Sequence, residues 1–358
     1  MFTRVPLETQ TLYAELLEQL LGEAAARSLG HLRGSFVSKT INGEVYLYFQ
    51  ASAPGGRTRQ FYVGKKTPAL DKMVARFSRE RVRVAPDRLR AQRLAAQLRI
   101  GGLNQTDSSS ARVIRALAES GVFEAGGVLV GTHAFVLLGN LLGVRWSAGG
   151  ALRTQDVDVA QRRPRGGVVE VDLDVAVPDA EVDVPSVLAR LKMGFVPVPP
   201  LDAKHPSTSF KVRGQSLRVD LLCPGESADA PPVFLSRFGA AAQPLPFLEY
   251  LLEMPEHAVA VGTDASLVRL PAPARLAFHK LLVAPLRAAA FATKAEKDLG
   301  QAADLLEVLL EDRPGDLPLA WRSLCDRGRR WQRAGERGLQ GLKRRRPALH
   351  ARLTSALA

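Results

Sequence analysis

The chain has 358 residues, of which 49 are Lys or Arg and 36 are Asp or Glu, so its formal net charge at pH 7 is +13. This length allows two or three domains that fold without disulfide bonds, and the two cysteines, Cys223 and Cys325, are spaced for neither a disulfide framework nor a metal site. The sequence has no apolar run of about 18 residues and no secretory signal, so we expect a cytoplasmic protein without a membrane partner.

Residues 1–103 predict an N-terminal region made of a helix, a small β-meander and a basic helix. Leucines at helical spacing indicate an amphipathic helix over 7–29, and the basic helix is predicted over 68–100. Asn42-Gly43 is a strong hairpin signal between the first two of three strands. Aromatic residues of these strands lie beside basic ones, a combination that can stack on nucleic-acid bases. We favour the alternative, in which the aromatic side chains form the packing face of the sheet.

Residues 104–225 predict a mixed sheet with helices mainly on one face. The segment Gly143–Arg153 is rich in glycine and is interpreted as an inserted loop. The last two strands, joined by Arg213-Gly214, are expected to pair antiparallel. The predicted elements in chain order are a helix (111–120), a strand (127–131), a helix (132–142), strands at 155–160 and 168–177, a helix (184–192), and strands at 209–212 and 217–222.

Residues 226–358 predict a mostly helical domain with a strand-like insert at 258–270. Its end is strongly basic, because residues 321–358 contain eleven Arg or Lys and only two acids. Charge of this density attracts polyanions, so nucleic acid is a candidate partner. A solvated helical face is an equal alternative, since charge alone carries no sequence readout.

Asp156 and Asp158 stand one residue apart on a predicted strand, so their side chains project from the same face. Two neighbouring carboxylates repel each other, and burying both is costly unless a cation neutralises them. Hard oxygen ligands suit Mg²⁺ or Mn²⁺. Asp172 and Asp174 form a second pair of the same pattern and are the rival metal ligands. Either pair could instead guard a strand edge with charge.

Two further features accompany the first pair. A strand runs directly into Gly131-Thr132 and then into a helix, and free N–H groups at a helix N-terminus favour anions such as phosphate. Asp220 lies among apolar residues of a predicted buried strand, where an unpaired carboxylate is expensive. Metal ligation would account for its place there.

Together these residues resemble the catalytic signature of the DNA polymerase beta-like nucleotidyltransferase superfamily, in which a strand ends in Gly-Ser, a helix follows, and an Asp-x-Asp pair carries the metals. The chain looks closest to bacterial members that have a conjoined N-terminal region and a helical tail. A more distant likeness to the toxin-type nucleotidyltransferases of abortive-infection systems rests on Lys280 and on Lys297-Asp298. Thr132 stands where the superfamily usually has serine. The phrases that carry the resemblance are Val-Gly-Thr-His-Ala-Phe (130–135), Leu-Arg-Thr-Gln-Asp-Val-Asp-Val-Ala (152–160) and Pro-Ala-Arg-Leu-Ala-Phe-His-Lys-Leu-Leu (273–282).

The resemblance implies an α+β fold: a nucleotidyltransferase-type mixed sheet with helices, beside the N-terminal β-meander region and the C-terminal helical domain. It implies an enzyme that moves a nucleoside monophosphate from an NTP to an acceptor hydroxyl. The residues that match its motifs are Asp156, Asp158 and Asp220 as catalytic ligands of Mg²⁺ or Mn²⁺, and Gly131, Thr132 and Lys280 as nucleotide-binding residues.

The acceptor is left open between two classes. RNA, tRNA included, fits the basic tail, whereas a protein hydroxyl, together with an antitoxin partner, fits the toxin-type likeness. A small cationic acceptor fits least. A non-enzymatic nucleic-acid-binding protein that retains the fold is the alternative to an enzyme. His133 is expected to cap or pack, Arg153 to be exposed, and Lys297 and Asp298 to support the fold or the site.

Overall fold

The α+β fold class is confirmed by the order and pairing of the strands and helices. A computed structural model of the chain describes residues 2–25, 35–41, 43–52, 58–147, 155–162, 182–200, 202, 204–287 and 292–357. Four of the sequence predictions lie outside these residues, namely Asp172, Asp174, Arg153 and the strand at 168–177.

The N-terminal region contains the predicted meander between two helices. Its strands pair antiparallel in the order β2-β3-β4. The basic helix begins after Thr67, whose hydroxyl accepts a hydrogen bond from the Leu70 N–H, and proline occupies its first position. The elements are β1 (Phe2–Arg4), α1 (Leu7–Ala25), β2 (Ser35–Ile41), β3 (Glu44–Ser52), β4 (Thr58–Lys65) and α2 (Pro68–Ile100).

The central sheet is mixed, as predicted. β10 runs parallel to β7 and to β12, whereas β5 pairs antiparallel with β7 and β9 antiparallel with β10. The elements of this part are α3 (Ser108–Glu119), β5 (Gly127–Val130), α4 (Gly131–Leu141), β6 (Val144–Trp146), β7 (Asp156–Gln161), α5 (Val184–Arg190), β8 (Phe195–Pro197), β9 (Ser209–Val212), β10 (Arg218–Pro224), β11 (Val233–Leu235) and β12 (Ala240–Leu245).

The interpretation of Gly143–Arg153 as an inserted loop is wrong for its first residues. Val144–Trp146 forms β6, which pairs antiparallel with β1 at the start of the chain. Trp146 is buried, stacks on Phe135 with ring centroids 4.4 Å apart, and donates its indole N–H to the Phe135 carbonyl at 2.8 Å. The strand was missed because its partner is far away in the sequence, and a three-residue strand has little pattern of its own.

The C-terminal part is mostly helical, and its strand-like insert is confirmed as the antiparallel hairpin of β13 and β14. The Val259 N–H of this hairpin donates to the hydroxyl of Tyr13 at 3.0 Å, which ties the hairpin to α1. Among the described residues, no helix has the length and apolar character needed to cross a membrane. The elements are α6 (Leu248–Leu251), β13 (Glu256–Val261), β14 (Ala265–Leu270), α7 (Pro273–Val283), α8 (Ala292–Asp312), α9 (Asp316–Cys325), α10 (Arg329–Arg345) and α11 (Pro347–Leu357).

Helices α7 and α10 pack so closely that only glycine fits at their contact. A Cβ atom at Gly338 would overlap the carbonyl oxygen of Leu281 on α7. Gly22, in the exposed part of α1, has open space around the same position. Substituting each of the two glycines in turn therefore distinguishes the packing requirement at Gly338 from the ordinary helix propensity of glycine.

We expect Gly338→Ala to lower the free energy of unfolding by about 1–3 kcal/mol, because the added methyl group forces α10 away from α7. Gly22→Ala is the matched control and should raise stability by up to about 1 kcal/mol, since alanine is the better helix former. Urea denaturation followed by circular dichroism measures both. Equal effects of the two substitutions would contradict the close packing of α7 and α10.

Candidate active site

The strand register brings the three predicted acids together. Asp158 on β7 lies directly opposite Asp220 on the parallel strand β10, and directly opposite residues share a face of the sheet. Asp156, two residues before Asp158 on the same strand, projects from that face as well. All three side chains remain partly accessible. One face of two adjacent strands therefore carries three carboxylates within reach of a ligand.

Gly131 closes the site from the neighbouring strand. Val130 at the end of β5 lies opposite Asp158, and the chain then turns into α4 through Gly131, whose φ is +69°. A Cβ atom at this position would collide with the Asp158 carboxylate. Glycine is therefore required twice, for its backbone conformation and for the approach of the carboxylate. Thr132 follows in the first turn of α4, where no side chain caps the free N–H groups.

The electrostatics of the acids reflect their crowding. Loss of hydration and the charges of Asp220 and Asp156 raise the pKa of Asp158 to about 7, against the opposing charges of Lys280 and Lys294. The pKa of Asp220 is also raised, mainly by loss of hydration. Negative charge is thus costly here, and each nearby cation favours the ionised carboxylates.

Lys280, predicted to contact the nucleotide, is buried in an ion pair. Its ammonium group donates to Asp298 Oδ1 at 2.9 Å, and Arg287 approaches the other carboxylate oxygen at 2.6 Å. Burial acts to raise the pKa of Asp298, but the two cations outweigh it and the pKa is lowered. Lys280 therefore joins α7 to α8 through Asp298, while its charge still acts on Asp158.

Arg218 on β10 lies directly opposite Asp156 and acts to lower the pKa of Asp220, and two lysines at the start of α8 add further positive charge near the acids. Lys294 is exposed, and its charge lowers the pKa of both Asp158 and Asp220. Lys297 is half-buried, and its pKa is lowered by loss of hydration and by Lys280, against the opposing effect of Asp156 and Asp158. Spacing of three residues places both lysines on one face of the helix. Lys294 is not among the residues predicted from the sequence, where its spacing of three residues from Lys297 is the one signal that points to it.

His133 follows Thr132 in the first turn of α4. Only 2% of its surface is exposed, and neither ring nitrogen has a hydrogen-bond partner among the described residues. Burial, aided by Lys297, lowers its pKa to about 4, although Asp107 and Asp156 act in the opposite direction. The imidazole is therefore neutral near pH 7. Its burial agrees with packing, and it makes no side-chain cap for α4.

The acids fit a divalent metal in their chemistry, since three carboxylates from adjacent strands are a hard oxygen donor set. In the described part of the chain, however, no group of three or more His, Cys, Asp or Glu side chains converges closely enough to hold a metal ion. Joint ligation therefore requires the carboxylates of Asp156, Asp158 and Asp220 to turn towards one another.

Comparison with known proteins relates the central part of the chain to one family. A family model described as nucleotidyltransferase matches residues 108–326, a range that contains all three acids and both α8 lysines. One solved structure, an antigenic nucleotidyltransferase-like protein from Paracoccidioides brasiliensis, is 14% identical over 70% of this chain and 94% of that one. Its TM-score of 0.37 is too low to support any argument. No curated protein matches the chain.

We expect Lys280→Met to lower the free energy of unfolding by about 3 kcal/mol, because it leaves the buried Asp298 carboxylate with one cation fewer. The side chains of Lys280 and Asp298 are only 5% and 9% exposed, so solvent screens the pair little. Lys294→Met removes an exposed charge of the same type and should change stability by less than about 0.5 kcal/mol. Chemical denaturation compares the variants, and an unchanged Lys280→Met protein would refute the structural role of the pair.

We expect His279→Asn to alter the pH dependence of stability. Burial and the charges of Lys280 and Arg287 lower the pKa of His279 to about 3, despite Asp298. The unfolded chain protonates this histidine near pH 6.5, so it binds more protons than the folded state and stability falls on acidification. Between pH 7 and pH 5 the wild type should lose about 2 kcal/mol more than His279→Asn. Urea titrations at both pH values measure this difference, and parallel losses would contradict it.

Proposed function

The chain belongs to the nucleotidyltransferase family, and from this premise we propose that it moves a nucleoside monophosphate from an NTP to an acceptor hydroxyl at Asp156, Asp158 and Asp220. The acceptor oxygen attacks the α-phosphorus, the bond from that phosphorus to the bridging oxygen breaks, and pyrophosphate leaves with the electron pair. The acceptor proton passes to solvent. The observation that carries the assignment of the site is the register of Asp158 opposite Asp220, with Gly131 packed against the Asp158 carboxylate.

The proposed metal is Mg²⁺ or Mn²⁺, held by the three carboxylates. Such an ion, when bound, neutralises charge on the phosphates and lowers the pKa of a coordinated hydroxyl. The protein positions the reactants around it. Gly131 lets the backbone approach the triphosphate, and the N–H groups and hydroxyl at Thr132 can donate to phosphate oxygens. These groups act by positioning and by stabilising charge, which dominate catalysis of this kind.

We assign the phosphate-binding cations to α8. Lys280 is committed to Asp298 by its buried hydrogen bond, whereas Lys294 and Lys297 act electrostatically on the acids from the adjoining helix. An ammonium group is a compact point charge suited to a mobile triphosphate. Lys280 keeps its proposed nucleotide-binding role in an indirect form, since its ion pair with Asp298 positions the first turns of α8.

RNA is the acceptor class that we propose, and the basic tail supports it. Several tail arginines pair with acids of the protein body, among them Arg327 with Glu253 and Arg346 with Asp304. Others remain exposed along one face of α10 at helical spacing, namely Arg333, Arg337 and Arg344. A stripe of this kind fits a phosphate backbone. Transfer to a protein, in a toxin-like system with an antitoxin, is the competing outcome.

The decisive experiment supplies each α-³²P-labelled NTP with Mg²⁺, a total RNA fraction and a protein fraction from the same lysate. We expect label in RNA, and a loss of at least about 100-fold in Asp158→Asn, because charge stabilisation at the reacting phosphate is removed. Asp172→Asn is the matched control from the rival acid pair and should retain most of the activity.

Each outcome has a distinct meaning. Label in protein alone would replace RNA with a protein acceptor and leave the site intact. Loss of transfer in Asp172→Asn but not in Asp158→Asn would show that the wrong acid pair was chosen. Full activity in the presence of a chelator would refute the divalent metal.

A further inference from the structure

The N-terminal meander has two aromatic faces, and the structure gives them different surroundings. One face packs on α2: Phe36 and Phe49 have ring centroids 5.1 Å and 5.9 Å from that of Phe77, which is only 4% exposed. Leu47, on the same side of β3 as Phe49, is buried as well. Packing of the half-buried Phe36 and Phe49 against Phe77 contributes to the stability of the sheet on α2.

The opposite face of the meander carries three tyrosines, of which Tyr62 is exposed and Tyr46 and Tyr48 are half-buried. Tyr46 and Tyr48 alternate with the buried residues of β3, and Tyr62 lies directly opposite Tyr48 on β4. The ring of Tyr62 is centred 5.6 Å from that of Tyr48 and 6.2 Å from that of Tyr46. Tyr62 is 61% exposed, the highest exposure among the large aromatic residues of this sheet that the structure describes. We name these three residues the tyrosine face.

Polar and charged groups complete the tyrosine face. The Lys39 ammonium lies 4.9 Å from the centre of the Tyr48 ring, a cation–π distance. Lys65 stands opposite Tyr46 in the register and pairs with Glu44 at 2.8 Å, so part of its charge is offset. At the other end, the Gln60 amide donates to Gln50 at 2.9 Å. Rings, ammonium groups and amides thus lie together on one exposed surface.

This combination matches one kind of ligand. Exposed rings offer flat apolar surfaces to bases, ammonium groups offer charge to phosphates, and amides offer donors and acceptors to base edges. A duplex hides its base faces, so an aromatic sheet surface is suited to unpaired nucleotides. The chain has a net charge of +13. A polyanion such as a nucleic acid is therefore favoured over the acidic face of another protein as the partner of this small surface.

We propose that the tyrosine face binds an unpaired segment of RNA by stacking its bases on Tyr48 and Tyr62. The identification of this RNA with the acceptor of nucleotidyl transfer rests on the proposed function, whereas the stacking itself does not. The meander then serves to hold a single-stranded acceptor, separately from the basic stripe of α10.

The test measures the binding of a fluorescein-labelled, unstructured RNA of about 12 nucleotides by fluorescence anisotropy, with no NTP present. Because the double variant Tyr48→Ala/Tyr62→Ala removes the stacking surface for two bases, we expect it to bind at least about 30-fold more weakly. The double variant Tyr48→Phe/Tyr62→Phe keeps the rings and should bind within about 3-fold of wild type, because phenylalanine retains the stacking surface.

Matched controls separate stacking from folding and from general charge. Phe234→Ala removes an exposed aromatic side chain, 66% accessible, from β11 and should leave RNA affinity unchanged. Thermal melting of each variant checks that the sheet remains folded. A duplex RNA of the same length, used as a competitor, should displace the single strand poorly.

Several results would overturn the proposal. They are wild-type affinity in the folded Ala double variant, equal loss in the Phe double variant, or no binding of single-stranded RNA by the wild type. RNA binding that depends on the tyrosine face without nucleotidyl transfer would instead overturn the proposed function and leave this surface standing. Transfer to RNA, together with unchanged RNA affinity in the Ala double variant, would overturn the proposal for the tyrosine face and leave the proposed function standing.

Discussion

The repulsion between three carboxylates on two adjacent strands is the constraint around which the rest of the structure is arranged. Asp158 and Asp220 lie side by side with Asp156 next to them, and loss of hydration, together with the charge of neighbouring carboxylates, raises the pKa of the first two. Charges held this close need cations. Arg218 on β10, directly opposite Asp156, provides one of them within the sheet, and the others come from outside it. The C-terminal helices supply them, so the basic side chains of α7 and α8 and the acids of the sheet depend on each other.

The lysines near the acids are of two kinds, one buried and one exposed. Lys280 is buried and hydrogen-bonded to Asp298, so removing it leaves a carboxylate without its main partner in a poorly hydrated place. Lys294 is exposed at the start of the next helix and is suited to a ligand that comes and goes. Anchoring α8 through the buried pair fixes the position of the exposed charges. A stable ion pair in this way supports the proposed binding of triphosphate without contacting it.

The two faces of the N-terminal meander also differ in their surroundings. Alternation along β3 puts Phe49 on the face that packs against α2 and Tyr48 on the opposite face. The packing role that we favoured for the aromatic residues of this sheet therefore holds for the phenylalanines, and base stacking by the tyrosines stays a proposal. Packing accounts for the phenylalanines, and the tyrosines with Lys39 remain available for a partner.

Local periodicity was enough to predict the meander, helix α2, the antiparallel pair β9–β10 and the shared face of Asp156 and Asp158, because each of these depends on neighbours in the chain. The family resemblance added Asp220 and Gly131, and the structure brings both against Asp158. Tertiary structure alone decided the pairing of β6 with β1, the commitment of Lys280 to Asp298 and the approach of Lys294 to the acids. These contacts join segments many residues apart, and their free energy arises from packing and charge that no local pattern encodes.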